Sequence, residues 1–187
     1  MARKKNYNEE EVIEKAMNLF WINGYKTTSM QMLEKEMGIN KFSIYASFGN
    51  KDGVFLESLK CYKKKLNVLI EDLKQSPDGI AGIKQYFYAF VTFSKNTEFG
   101  KGCLVTNTAN ELNDKADEKI MESVTTFTNQ IKQLFAEKLT QERERSEAKI
   151  EEKADYLLLS MFGLSTATRV FSKNQIENYI ENVFKNV

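Results

Sequence analysis

TTSMQMLEKEMGINKFSIYASFGNKDGVF, residues 27–55, decides how this chain folds. It reads as two short helices joined by a tight turn, followed by a sharp break into a third, longer helix. Thr28 or Ser29 can cap the first helix, Asn40 the second and Asn50 the third, because short polar side chains accept from the unpaired N–H groups of a first turn. Gly38 supplies the backbone freedom that a sharp interhelix turn needs. The second short helix carries Lys41, Ser43 and Tyr45 and is held off the body by a turn at each end. That shape suits insertion into a DNA major groove.

Upstream, residues 1–7 form a polar arm containing Arg3, Lys4 and Lys5. A helix begins at Asn8, with Glu9, Glu10 and Glu11 where the dipole favours acid. Its apolar stripe is Val12, Ala16, Leu19 and Phe20, and Gly24 ends it. Downstream, Phe55, Leu59, Tyr62, Leu66, Leu69 and Leu73 give the long helix a buried face. The only proline lies in Ser76-Pro77-Asp78, which reads as an N-cap, a proline at the first helical position and an acidic first turn. An aromatic helix follows, with Tyr86, Phe87, Tyr88, Phe90 and Phe93. Gly100 and Gly102 break the chain before a short segment, 103–112, and Asn113-Asp114 breaks it again. Ile120, Val124, Phe127, Ile131, Leu134 and Leu139 mark another long helix. Residues 156–171 are apolar almost all round, and a last helix falls near 174–186. The expectation is an all-α chain of about nine helices. Three N-terminal helices form one unit, 1–52, and the rest form a larger unit, 53–187, with the long helix from Asn50 bridging the two.

Composition narrows the function. The 187 residues carry 27 Lys and Arg against 26 Asp and Glu, so nucleic-acid binding must rest on local basic groups: Arg3, Lys4, Lys5, Lys26, Lys41 and Lys51. The chain has no histidine, which removes the commonest general base and the commonest metal ligand together. No metal or cofactor is expected, and no nucleophile–base pair for an enzyme is evident. Cys61 and Cys103 are far apart and form no CxxC pair, which fits a reducing cytoplasm. No apolar run is long enough to cross a bilayer, and the basic N-terminus lacks the apolar core of a secretory signal.

The spacing Ala16-x-x-Leu19-Phe20-x-x-x-Gly24-Tyr25-x-x-Thr28-Ser29, then Gly38-Ile39-Asn40-Lys41-x-Ser43-Ile44-Tyr45-x-x-Phe48-x-x-Lys51, resembles the N-terminal domain of TetR/AcrR (tetracycline-repressor) transcriptional regulators. The match covers about the first third of the chain. The resemblance implies a helix-turn-helix DNA-binding domain followed by a variable helical ligand-binding and dimerisation domain. It also implies a homodimer that binds double-stranded operator DNA and answers to a small-molecule effector. The GCLVTNTANEL stretch, 102–112, is similar to a segment found in one subset of the family. Two positions depart from the pattern. Glu34 stands where a small alanine is usual, and Phe42 where a small residue is frequent, so base preference does not transfer from relatives.

The expected DNA-contacting residues are Thr28, Ser29, Lys41, Phe42, Ser43, Tyr45, Ala46, Ser47 and Lys51. Lys41 and Ser43 would meet base edges and Phe42 a thymine methyl, with Tyr45 and Ser47 on phosphate oxygens. Lys51 would grip a phosphate together with the N–H groups of its helix start. Ile44 and Phe48 would point inward. The expected effector pocket is apolar with few polar groups, drawn from Tyr86, Phe87, Phe90, Cys103, Thr106, Asn107, Asn110, Phe127, Ile131, Met161 and Phe162. Cys103, after Gly102 at a helix start, reads either as an inert buried thiol or as a sensor of electrophiles. Residues 156–171 and the last helix read either as a buried pair or as a dimer face, two helices from each subunit forming a four-helix bundle.

Overall fold

A computed structural model describes residues 7–95, 100–112, 117–141, 146–185 and 187. Among these, nine helices and no strand are found. They are α1 (Glu9–Asn23), α2 (Met30–Met37), α3 (Lys41–Phe48), α4 (Lys51–Gln75), α5 (Gly79–Ser94), α6 (Leu104–Glu111), α7 (Glu118–Leu139), α8 (Glu147–Ala167) and α9 (Lys173–Phe184). The all-α expectation holds. The Arg3-Lys4-Lys5 arm and the Asn113-Asp114 break lie outside the described residues.

The starts follow from side-chain chemistry. Asn8, Ser29, Asn40 and Asn50 each accept from a backbone N–H in the first turn of α1, α2, α3 and α4. Of the two candidates for α2, Ser29 is the cap. Gly38 ends α2 at φ +68°, the left-handed conformation a side chain resists. The proline boundary differs from expectation by two residues. Ser76 closes α4, and α5 begins after Asp78, which makes no side-chain cap bond. The Ser76 hydroxyl instead donates to the Asp78 carbonyl at 3.1 Å, which places Pro77 in the link rather than in the helix.

One continuous apolar core runs from α1 to α9. Phe20 meets Phe55 edge-on at 4.8 Å and Trp21 meets Tyr62 at 5.0 Å, so α1 is fixed along α4. Phe87 packs edge-on against Phe184 at 5.0 Å and against Phe135 at 6.1 Å, drawing α5, α7 and α9 together. Of the stripes expected from sequence, Leu19 and Leu69 are only half-buried; the other members are buried. Two lysines stitch α7 to α4. Lys63 donates to the Ser123 carbonyl and hydroxyl at 2.8 and 2.9 Å. Lys138, only 3% exposed, donates to the carbonyls of Lys74 and Ser76 at 2.8 and 2.7 Å and so satisfies the C-terminal end of α4.

Candidate nucleic-acid interface

α3 is a short rod with one face against the body and the other open. Ile44 is fully buried and anchors it; Lys41, Phe42, Tyr45 and Ala46 face outward. Phe42 is 81% exposed, an unusual cost for a phenyl ring that packs on nothing. Lys41 Nζ lies 5.8 Å from the Tyr45 ring, so cation and phenol share one face. Ser43 is half-buried, and its amide donates to the Asn40 cap at 2.8 Å. Ser47 is also half-buried: its hydroxyl pairs with the Tyr7 hydroxyl at 2.7 Å. Phe48 is half-buried against the core as expected.

Thr28, Ser29 and Lys51 are the expected contacts outside α3. Thr28 is fully buried and donates to the Gly24 carbonyl at 2.7 Å, so it braces the turn before α2 and does not reach the open face. Ser29 remains exposed while it caps α2. Glu34, one of the two departures from the family pattern, accepts from the Lys41 amide at 2.9 Å through its carboxylate and charges the start of α3 favourably. Lys51 Nζ sits over the Tyr25 ring at 4.4 Å and 3.4 Å from the Lys26 carbonyl. Burial lowers its pKa, while Asp52 and Glu111 pull it back up. Tyr25 donates to Asp52, and burial, then that carboxylate, pushes its phenol well up.

Sequence reading missed Tyr7, Glu34, Tyr25, Asp52 and Glu111 as members of this region. Each acts across 7 to 86 residues of chain, from Glu34 to Lys41 and from Glu111 to Tyr25, where spacing patterns carry no signal.

The second site is a cavity of about 30 Å³ among α4, α5, α6, α7 and α8. Tyr86, Phe90, Cys103, Thr106, Phe127, Ile131, Met161 and Phe162 line it, as expected, together with Leu66, Val105 and Ser165. Three expected residues do not. Phe87 turns toward Phe135 and Phe184, Asn107 donates to the Lys101 carbonyl at 2.9 Å, and Asn110 is exposed. Cys103 is buried, and its amide donates to Ser165 Oγ at 2.8 Å. Beside it lies a group that the sequence reading placed only in the buried face of the long helix. Tyr62 is fully buried, its hydroxyl has no hydrogen-bond partner among the described residues, and burial, then the neighbouring Cys103, holds its pKa well above the ordinary value.

Residues 12–58 match the family described as bacterial regulatory proteins, tetR family. Within these residues, which run from α1 into α4, the chain is similar to the tetR family. It is 30% identical over 112 residues to the HTH-type transcriptional regulator YezE of Bacillus subtilis, covering 59% of this chain and 58% of that one. It is 29% identical over 117 residues to the HTH-type transcriptional repressor ComR of Escherichia coli, covering 59% and 54%. The chain therefore spans between half and two thirds of the length of these curated relatives. Over the whole chain the fold is that of the TetR family regulator CifR, solved as a cysteine mutant complexed with a 26-bp double-strand operator DNA. That structure superposes with a TM-score of 0.87 at 23% identity over 98% of both chains. The reduced form of Escherichia coli NemR superposes at 0.76 with 18% identity over 95% of each. Both curated relatives are named as HTH-type transcriptional regulators or repressors. Among the described residues of this chain no helix is long and apolar enough to cross a membrane.

Proposed function

We propose that this chain is a cytoplasmic, ligand-responsive repressor that binds a palindromic operator as a homodimer through α3. The observation that carries the reading is the outward set Lys41, Phe42, Tyr45 and Ala46 on a helix whose other face is held by Ile44, Phe48 and the Ser47–Tyr7 pair. In the likeness to CifR, a protein of the same fold has been seen on double-strand operator DNA. Residues 1–52 form the reading unit, with Ser29, Ser43, Ser47 and Lys51 around the rod as phosphate or base contacts. Residues 53–187 form the effector and dimer unit, and α4 crosses from one to the other as a single helix.

Duplication is required by energetics. One short helix offers few base contacts at ~1–3 kcal/mol each, too few for a useful operator affinity. Two heads roughly 34–36 Å apart would read one helical turn of a palindrome. The α8 face supports the pairing: Tyr156, Leu159 and Gly163 on the helix, with Val170 and Phe171 just beyond its end, are exposed, and Leu159 is 70% open. Gly163, small and exposed on that face, allows close helix approach.

The effector is a small, mostly apolar or electrophilic molecule. Its site would be the cavity under Cys103 and Thr106, with the unpartnered Tyr62 hydroxyl beside it as a hydrogen-bond donor. A volume of about 30 Å³ admits roughly a water, whereas small-molecule sites span about 300–1,000 Å³. Binding must therefore push α6, α7 or α8 outward, and this displacement supplies the differential affinity that release from DNA demands.

The test is selection of bound sequences from a random duplex pool. The expected result is an inverted repeat, with affinity falling steeply as salt rises. Recovery of unenriched sequence at low ionic strength overturns the reading.

A further inference from the structure

α6 is tied at both ends to the element that carries the reading head. At its start, the Trp21 indole of α1 donates to the Gly102 carbonyl at 3.0 Å, and Lys101 Nζ lies 4.8 Å from the same ring. At its far end, the two oxygens of Glu111 accept from successive amides of the turn after α1: Lys26 at 2.7 Å and Tyr25 at 3.3 Å. The carboxylate reaches this turn only because residue 24 is glycine, at φ +84°; a β-carbon there would collide with Glu111. From the turn, Tyr25 bonds Asp52 and Lys51 covers the Tyr25 ring, so α1, α4 and α6 meet at one node. The first turn of α6 meanwhile supplies Cys103, Val105 and Thr106 to the cavity or its rim.

We propose that Glu111 is a positioning residue that fixes the angle of the reading head against α6, and so sets the half-site spacing the dimer accepts. The inference rests on the DNA-binding reading above. A charge-assisted pair of bonds to two adjacent amides holds both the distance and the direction of the turn, which a single neutral contact does not. The cavity and the Glu111 clasp lie at opposite ends of a rod about 12 Å long at 1.5 Å per residue. Displacement of α6 at the cavity therefore reaches the head through this carboxylate.

Spacing is a sensitive readout of that angle. Each base pair inserted between half-sites rotates the second by roughly 35° and moves it about 3.4 Å. The experiment uses the full chain, duplexes built from the half-site that wild type selects, and spacers varied by single base pairs. Wild type is expected to favour one spacing by about tenfold or more over its neighbours, as misplacing one of two linked heads forfeits much of the joint gain. Glu111→Gln keeps the shape but loses the charge, and Glu111→Ala removes the clasp. Both are expected to flatten that preference to within roughly threefold while leaving binding to a single half-site near wild type. Amide exchange at Tyr25 and Lys26 should rise in Glu111→Ala and not in the body of α6. If Glu111→Ala fails to fold, the Gln variant decides. A sharp wild-type preference retained in the folded variants overturns the clasp alone. A wild type that binds no duplex overturns the DNA-binding reading, and the clasp with it.

Discussion

At the scale of single residues, the open face of α3 separates two kinds of contact. Lys41 begins the rod and points outward beside Tyr45, where its ammonium can meet a guanine edge as well as a phosphate. Lys41→Ala is expected to weaken operator binding by about 1–3 kcal/mol, the worth of one base-reading contact, and random duplex binding by less. Competition assays against both duplexes check this, and equal losses would reduce Lys41 to a phosphate contact. The caps Asn40 and Asn50 were legible because a cap acts within three residues of itself. Glu34 was not. Its partner amide lies across the Gly38 turn, and the closeness of the end of α2 to the start of α3 is a product of the turn's dihedrals, not of spacing. Thr28 misled for a related reason. Cap-forming and carbonyl-bonding hydroxyls look alike in sequence, and only burial separates Thr28 from Ser29.

At the scale of helices, periodicity found the buried stripes of α4 and α7 and part of that of α1, but not the polar ties between helices. A buried lysine has no sequence signature when its partners are main-chain carbonyls more than 60 residues away, as Lys138 shows. Lys138→Met is expected to destabilise by about 2–3 kcal/mol, since hydrogen bonds to a charged group are worth more than neutral ones and two carbonyls lose their donor. Thermal melting checks this as a fall of roughly 5–10 °C for a chain of this size. The start of α5 was misjudged for want of competing information. Proline at a first helical position is common, but here the Ser76 hydroxyl holds the link in a turn, and the tight seat of Gly82 against Ser76 fixes the helix two residues later.

At the scale of the whole molecule, the buried phenols link stability to pH. Tyr62 and Tyr86 are held up by burial, Tyr25 by burial and Asp52, and Tyr88 reaches about 12 through its bond to Glu181. A folded-state pKa above the unfolded value means that the stabilisation is complete below about pH 10 and is lost as pH rises toward the folded value. Urea unfolding between pH 9 and 12 should show stability dropping by about 1.4 kcal/mol per pH unit for each of Tyr62 and Tyr86, with smaller, solvent-screened parts from Tyr25 and Tyr88. Phenolate absorbance that appears near pH 10 from every tyrosine of the folded protein would contradict this.

The same scale governs the outward face of α8. Residues 156–171 looked apolar all round, and a single chain cannot show whether such a helix is buried by its own fold or by a copy. The fold buries Leu157, Met161 and Leu164 and leaves Tyr156, Leu159, Val170 and Phe171 open. Polar α9 surface beside them supplies a rim. In the proposed dimer, a charge placed at Leu159 would be desolvated against the partner's apolar face. Leu159→Glu is therefore expected to sediment as a monomer at micromolar concentration while melting near the wild-type temperature, because the side chain is open in the isolated subunit. Its operator affinity should fall by on the order of 100-fold or more, the gain that linking two heads provides. A Leu159→Glu protein that stays dimeric would move the subunit interface off this face of α8 and leave the apolar stripe there to some other partner.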